Sequence, residues 1–461
     1  MKLPNEVLYI INKLNENNFK AYAGGGCVRD LYIEKEPHDY DITTEATPEQ
    51  VKNIFKNEKI FDTGIKYGTI TLVLNNENYE ITTFRKDIGY SDGRRPDKIQ
   101  YGKTVYEDLS RRDFTMNAIC FDGKEIIDPF NGIKNIKDKK IKTVGKPIDR
   151  FLEDGLRVFR AYRFSAQLGW ELSNEIRNAI KYNKNNSKFI ETLNKISKER
   201  IREELIKILL SNNAKNVLMM MREDGILNYI SNDFEKSYRV VQNNIYHYTN
   251  VFEHSLDVVS VVPCKLELRI AALLHDLGKI DACFIGEDGY EHFYNHSIYS
   301  VERSRKILND LKFSNIIKNK VLDLVQYHDH PLESKMSIKR LIGKIGIETC
   351  EELMELKYAD IVSHERKYIR RLLERWFTAK KWIEEIKNEN EALTIKDLKI
   401  NGKDIMEICK IKQGKKVGEK LNEIFELVIN GELENKFEKI KSFLLKEGES
   451  SENFNRNGTK W

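Results

Sequence analysis

The sequence predicts a multidomain α+β protein, with a mixed α/β head followed by a long all-helical remainder. Two patterns carry this. Helix-like and strand-like segments alternate up to about residue 145, and the strand signals vanish after Gly145. Beyond it, apolar residues recur at helical spacing, as from Ile201 to Leu210 and from Ile316 to Tyr327. Length adds a third argument, because 461 residues exceed what one compact core holds.

Within the head, Ile70-Thr71-Leu72-Val73-Leu74, an Asn-rich turn and Tyr79-Glu80-Ile81-Thr82-Thr83-Phe84 read as a β-hairpin. Of the nine histidines only His38 lies in the head, and the others fall between His247 and His364. That clustering marks a separate module. The expected organisation is a head over 1–145, a helical neck and body over 146–240, and a histidine module over 241–365. A helical C-terminal region over 366–446 and a disordered polar tail over 447–461 complete it.

A charged fraction of 32 % beside 40 % hydrophobic residues fits a soluble protein with a broad solvated face. No uncharged apolar run approaches bilayer length, and Met1-Lys2-Leu3-Pro4-Asn5-Glu6 lacks the apolar region of a secretory signal. Six scattered cysteines form no C-x-x-C pair, which reads as reduced thiols in a cytoplasm. The net charge of +5 permits a polyanionic partner without demanding one.

The densest chemistry lies in Gly24-Gly25-Gly26-Cys27-Val28-Arg29-Asp30 and Pro37-His38-Asp39-Tyr40-Asp41-Ile42. Glycines before a helix let backbone approach a phosphate, with Gly25 and Gly26 as the contact positions and Arg29 as a bidentate donor. Asp39 and Asp41 are two apart, so a strand would put both carboxylates on one face, where they can share divalent cations. Glu80, on the expected neighbouring strand, is the candidate third carboxylate. Together these describe two-metal nucleotidyl transfer. Either piece alone is more often a plain turn; their close succession is what makes them specific.

G-G-x-V-R-D followed by P-x-D-x-D resembles the signature of class II tRNA nucleotidyltransferases and bacterial poly(A) polymerases, a branch of the polymerase-β-like superfamily. Further motifs continue the resemblance in order: Glu80 to Arg85 resembles a second catalytic strand, and Ser91 to Pro96 a flexible loop. Arg111 to Ala118 resembles a ribose-binding segment, Glu153 to Arg160 a base-reading helix, and Ser197 to Leu205 a neck motif. The resemblance implies a polymerase-β-like head with a mixed sheet, Mg2+ at Asp39 and Asp41, and CTP and ATP as substrates with the tRNA 3′ acceptor end. It assigns nucleotide contacts to Arg112, Asp113, Asn117, Asp154, Arg157, Arg160 and Arg163. Neither a membrane nor a protein partner is inferred.

Asp154 and Arg157 are three apart and are expected on one helix face. An acceptor and a donor so placed mimic a template base, taking the amine and ring nitrogen of C or A and disfavouring U and G. The bland alternative is an intrahelical salt bridge. Relatives carry alanine or proline where Gly155 stands, and a glycine costs a helix up to about 1 kcal/mol, so it is expected to loosen the templating helix.

Three specificities share this scaffold: full CCA addition, partial CC or A addition, and poly(A) synthesis. Gly68-Thr69-Ile70 and the retained loop look more like CCA addition, and the acidic polar tail differs from the basic extension of poly(A) polymerases.

The run Ala271-Ala272-Leu273-Leu274-His275-Asp276-Leu277-Gly278-Lys279 looks like an HD-domain metal phosphohydrolase signature. The resemblance gives His254, His275, Asp276 and Asp360 as core ligands of a divalent metal, with His296 and His328 for a second one and Lys279 for a phosphate. His292, His330 and His364 are set aside as structural or surface residues. In the C-terminal region, Leu398 to Met406 and Gly414 to Leu421 resemble a helical module that holds the tRNA elbow. Two rivals from other classes are an HD phosphohydrolase whose head only binds nucleotide and a non-catalytic RNA-binding protein. Retention of Asp39, Asp41, Asp154 and Arg157 argues against both.

Overall fold

The computed structural model describes residues 1–89, 98–242, 249–287, 289–364, 366–388 and 394–456. Two compact units emerge: Met1–Glu235 with Ile307–Phe313, and Lys236–Lys306 with Ser314–Trp461. The expected flexible loop over Ser91 to Pro96 lies outside the described residues, as does His247.

In the first unit, the described residues of the head include β1 (Ala21–Gly24), β2 (Asp41–Thr44), β3 (Lys59–Gly64), β4 (Thr69–Leu74), β5 (Glu77–Thr83), β6 (Arg85–Ile88), β7 (Lys98–Tyr101), β8 (Cys120–Phe121) and β9 (Ile126–Ile127). Seven of them make one mixed sheet in the order β3-β4-β5-β2-β1-β8-β9, and β6 pairs with β7. The expected hairpin is β4–β5. Asn75 and Asn76, at φ 52° and 66°, make a left-handed two-residue turn that matches the strand twist. Val7, Ile10, Ile11 and Leu14 line one stripe of the helix Asn5–Glu16, which packs on β1 and β2 over buried Ala21, Ala23 and Ile42.

The neck begins with Pro147 at the first position of the helix Pro147–Glu153. After a break comes Leu156–Leu168, which stops at Gly169 in a left-handed conformation and packs against Lys198–Leu209. Short strand pieces do occur beyond Gly145: Glu171–Leu172 pairs in parallel with Lys140–Ile141, and Phe284–Ile285 pairs with Glu291–His292. Two residues are too few to write an alternating pattern.

The second unit is built on the helices Val251–Val261, Leu266–Leu274, Asn315–Tyr327 and Ile347–Val362, which pack on one another. A further core gathers Leu398, Ile405, Val417, Ile424, Ile440 and Leu444. The tail departs from expectation, because the last helix runs over Phe437–Arg456. No proline interrupts it after the buried turn at Ile440 and Leu444, so the helix propagates through polar residues. Among the described residues no helix is long and apolar enough to cross a membrane.

Tyr162, fully buried, donates to Asp224 Oδ2 at 2.8 Å, and Arg177 holds the same carboxylate. Tyr162→Phe is expected to lower the stability of this unit by about 1–2 kcal/mol. Chemical denaturation followed by circular dichroism checks this, and an unmoved first transition would contradict it.

Candidate functional site

The parallel pairing of β2 with β5 sets Asp41 directly opposite Glu80. Asp41 opens β2, and Asp39 lies just before the strand, so the two are not successive residues of one strand face as expected. All three acids still line one cleft of about 930 Å³ in the first unit, together with Gly25, Gly26, Arg29, Arg112, Asp113, Asn117, Asp154, Arg157, Arg160 and Arg163. The head and neck residues named from the sequence as catalytic or nucleotide-binding thus line one cleft.

Burial and then the neighbouring Asp39 charge raise the Asp41 carboxyl, Arg112 opposes them, and Glu80 adds to the rise, to about 6. Acids that repel like this fit hard divalent cations, which would relieve the repulsion. Asp39, Asp41 and Glu80 are the residues that would hold them.

The cleft is also lined by cations, and these are tightly wired. Gly25 has φ +89°, and a Cβ there would stand 2.5 Å from Arg112 Nη1, so glycine lets this guanidinium lie against the main chain. Arg112 also reaches buried Asp108 at 3.2 Å and the Asn117 carbonyl at 3.1 Å. Arg29 differs from expectation: its fork is engaged by Asp30 at 2.9 and 3.0 Å and by Asn117 Oδ1 at 2.7 Å. Asp113 accepts from Arg160 Nε at 2.7 Å and from the Phe114 amide at 2.8 Å. Burial pushes its carboxyl up, yet Arg160 and Arg157 outweigh burial and hold it below the ordinary range. Around the Phe164 ring gather Arg29, Arg160 and Arg163, at 5.3, 5.4 and 4.1 Å from its centre. Burial, then the Arg160 charge, lowers Arg163 to about 10 despite Glu204 at 3.1 Å. Such crowding of cations suits a polyanion.

Asp154 and Arg157 correct the expectation of one helix face. Asp154 occupies the break between Pro147–Glu153 and Leu156–Leu168, with φ −143° and ψ 108°, while Arg157 is in the first turn of the second helix. The Asp154 side chain accepts from the Leu156 amide at 3.0 Å, which is the reason the first helix ends there. Gly155 sits in the same break rather than inside a helix, and a Cβ on it would stand 2.9 Å from the Thr192 carbonyl oxygen. It therefore does not loosen the helix. Arg200 also lines the cleft and pairs with Asp154; the neck motif contains it, but nothing in the motif singles it out.

A second cluster lies wholly in the second unit. His254, His275 and Asp276 form one group, Asp276, His296 and His328 another, and His254, Asp360 and His364 a third. Gly278 permits it: a Cβ would stand 2.0 Å from the His296 carbonyl, so only glycine lets that helix start beside Asp276. Asp276 Oδ2 is 3.3 Å from His275 Nε2, and Oδ1 is 3.2 Å from His296 Nε2 and 3.5 Å from His328 Nε2. His254 Nε2 is 2.9 Å from Asp360 Oδ1.

The tautomers test whether a metal fits. The Nδ1 atoms of His275, His296 and His328 each face a carbonyl three residues back, at 2.9, 2.9 and 2.7 Å. Each Nδ1 is therefore placed to donate to its carbonyl, which turns each Nε2 toward the cluster as the atom that would meet a metal. His296 Nε2 and His328 Nε2 lie 3.0 Å apart, and both approach the same Asp276 oxygen. Nitrogen and carboxylate donors suit a borderline divalent ion.

His364 belongs to this cluster, contrary to the expectation that set it aside. It lies four residues after Asp360, 3.9 Å from its carboxylate, and stacks on His254. That four-residue spacing was the available signal. Lys279 is buried against Asp276 at 2.7 Å and Gln242 at 2.7 Å instead of reaching out for a phosphate. His292 and His330 stay outside the cluster, with Phe284 and Ser337 as neighbours. In the C-terminal module the Asn401 side chain caps the amides of Lys403 and Asp404, so those donors are already used.

An acid whose pKa is raised by folding opposes folding once ionised. Asp41 therefore costs stability above about pH 6, and the cost disappears as pH falls toward the ordinary value of 3.8. In EDTA-treated protein, Asp41→Asn should raise the thermal midpoint at pH 7.5, with a gain that shrinks through pH 6. A midpoint that drops at pH 7.5 would contradict this reading of the cleft.

Residues 21–142 match the family model described as the poly A polymerase head domain, and residues 293–444 match a model of a second tRNA nucleotidyltransferase domain. A CCA-adding enzyme of Lactobacillus delbrueckii subsp. bulgaricus is 47% identical over 222 residues, 48% of this chain and 54% of that relative. The matched part thus spans about half the length of that relative. A CCA-adding enzyme of Staphylococcus epidermidis is 32% identical over 443 residues, 94% of this chain and 95% of the relative. The crystal structure of the Bacillus stearothermophilus CCA-adding enzyme in complex with CTP superposes with a TM-score of 0.71 at 29% identity, covering 98% of this chain and 100% of that one. By fold, cleft and relatives alike, the chain belongs to the CCA-adding enzyme family of tRNA nucleotidyltransferases.

Proposed function

We propose that this chain adds C, C and A to the 3′ end of tRNA from CTP and ATP, without a nucleic-acid template. The observation that carries the reading is one cleft that Asp41 and Glu80, paired across β2 and β5, line together with Asp154, Arg157 and several guanidiniums. Asp39, Asp41 and Glu80 would hold Mg2+. Bound there, divalent ions activate a primer 3′-hydroxyl and neutralise the leaving pyrophosphate. Arg112, Arg160 and Arg163 would orient the triphosphate, and Asp113 and Asn117, which line the same cleft, would meet the ribose hydroxyls. Asp154 accepts from the exocyclic amine of cytosine or adenine, while Arg157 donates to the ring nitrogen beside it. Uracil and guanine present a carbonyl where Asp154 needs a donor, so they are disfavoured. The Bacillus stearothermophilus CCA-adding enzyme, at 29% identity, was solved in complex with CTP, which supports the choice of nucleotide. Poly(A) synthesis and partial addition are the alternatives on this scaffold.

The second cluster favours a second reading. His254, His275, Asp276 and Asp360 would hold a divalent metal, with His296, His328 and His364 beside them, in an HD-type phosphohydrolase site. A metal there supplies an activated water for attack on phosphorus.

The decisive experiment incubates the protein and Mg2+ with tRNA transcripts ending at the discriminator base, at C or at CC. CTP and ATP are supplied together or singly, and products are resolved to one nucleotide. Addition that stops at CCA is expected; long A tails on unrelated RNA would overturn the proposal. Asp41→Ala should reduce addition by about a thousandfold or more while leaving tRNA affinity within a fewfold. Near-normal addition by that variant would remove the metal assignment. Asp276→Ala should abolish metal-dependent release of phosphate from nucleotides and leave CCA addition intact; surviving phosphatase activity would place it elsewhere.

A further inference from the structure

The two base-reading side chains stand on different scaffolds. Arg157 is fixed by Glu153 and by the main-chain oxygens of Arg150 and Arg111, at 3.2 and 3.1 Å. Asp154 has no helix under it and depends on two partners. The Leu156 amide donates to Oδ1 at 3.0 Å, and Arg200, from the helix Lys198–Leu209, takes both oxygens. Its Nη1 lies 3.3 Å from Oδ1 and its Nη2 2.8 Å from Oδ2. With side chains only 18% and 15% exposed, this fork is largely shielded from competing water.

A carboxylate offers about four acceptor positions, and three are occupied here, which leaves about one open. The guanidinium plane also sets the carboxylate plane, and so the direction of that last lone pair. From these observations we infer that Arg200 is a positioning residue for nucleotide selection. It aims the one open lone pair of Asp154 at the exocyclic amine of C or A. The inference rests on the base-reading role proposed for Asp154.

Without this grip Asp154 is held by a single amide and can swing toward the ring-nitrogen position. Uracil then fits, since its ring N–H donates to the displaced carboxylate while Arg157 donates to its carbonyl oxygen. Discrimination between amine and carbonyl is therefore the property that Arg200 sustains, beyond any share it has in stability.

The test measures kcat and KM for single additions of CTP and of UTP to a tRNA transcript ending at the discriminator base. Arg200→Met keeps length and apolar bulk without donors, and Arg200→Lys returns one donor. The CTP-to-UTP ratio of kcat/KM should fall about tenfold or more in Arg200→Met. Arg200→Lys should recover part of it, and both should raise KM for CTP more than they lower kcat. An unchanged ratio in a folded Arg200→Met protein would overturn the inference. Should that variant fail to fold, Arg200→Lys decides the matter, and a ratio equal to that of the unaltered protein overturns the inference. Asp154→Asn separates the two ideas. If it keeps the ratio, the base-reading role itself is wrong; if it loses the ratio while Arg200→Met keeps it, only the role of Arg200 fails.

Discussion

The structure turns on one strand register. Parallel pairing of β2 with β5 sets Asp41 beside Glu80, and burial, the Asp39 charge and the Glu80 charge together make Asp41 costly to ionise in a cleft. Nothing in hydrophobic burial favours that juxtaposition. The sheet enforces it through the apolar neighbours in the same register, Ile42 opposite Ile81, both buried. A slip by one residue would turn the acids to the other face and the isoleucines out of the core.

Among the cations of the cleft the same tension appears with the opposite sign. Arginines crowd closely enough that Arg163 is lowered to about 10, and each is steadied by an acid or a carbonyl: Arg112 by Asp108, Arg160 by Asp113, Arg163 by Glu204. Acids and an excess of cations lining one cleft suit a metal-bound triphosphate. The histidine cluster of the second unit follows a similar rule, with three imidazoles held by their own main chain so that their Nε2 atoms turn toward Asp276.

Much of this is legible in the sequence because it is local. The Asn75-Asn76 turn, the period of Val7 to Leu14 and the glycine run before Cys27 each write their structure in adjacent residues. What escapes depends on contacts between distant segments or on helix ends. The spacing of Asp154 from Arg157 is helical, yet the Asp154 side chain caps the next helix, and the Asp154-Gly155 dipeptide is the local sign of that break. Arg200, Asp108 and Glu204 act through partners on other elements, and no periodicity reveals such pairings. The fork of Arg29 likewise goes to Asp30 and Asn117, and Lys279 goes to Asp276.

If Asp39, Asp41 and Glu80 form the metal site of a nucleotide cleft, a bound metal must be found there. Crystals grown with Mn2+ and a non-hydrolysable CTP analogue, with anomalous scattering to locate the metal, give the sharpest answer. Manganese is expected between the Asp39 and Asp41 carboxylates and the triphosphate, with the cytosine edge against Asp154 and Arg157. Manganese confined to the histidine cluster, with none beside Asp41, would contradict this.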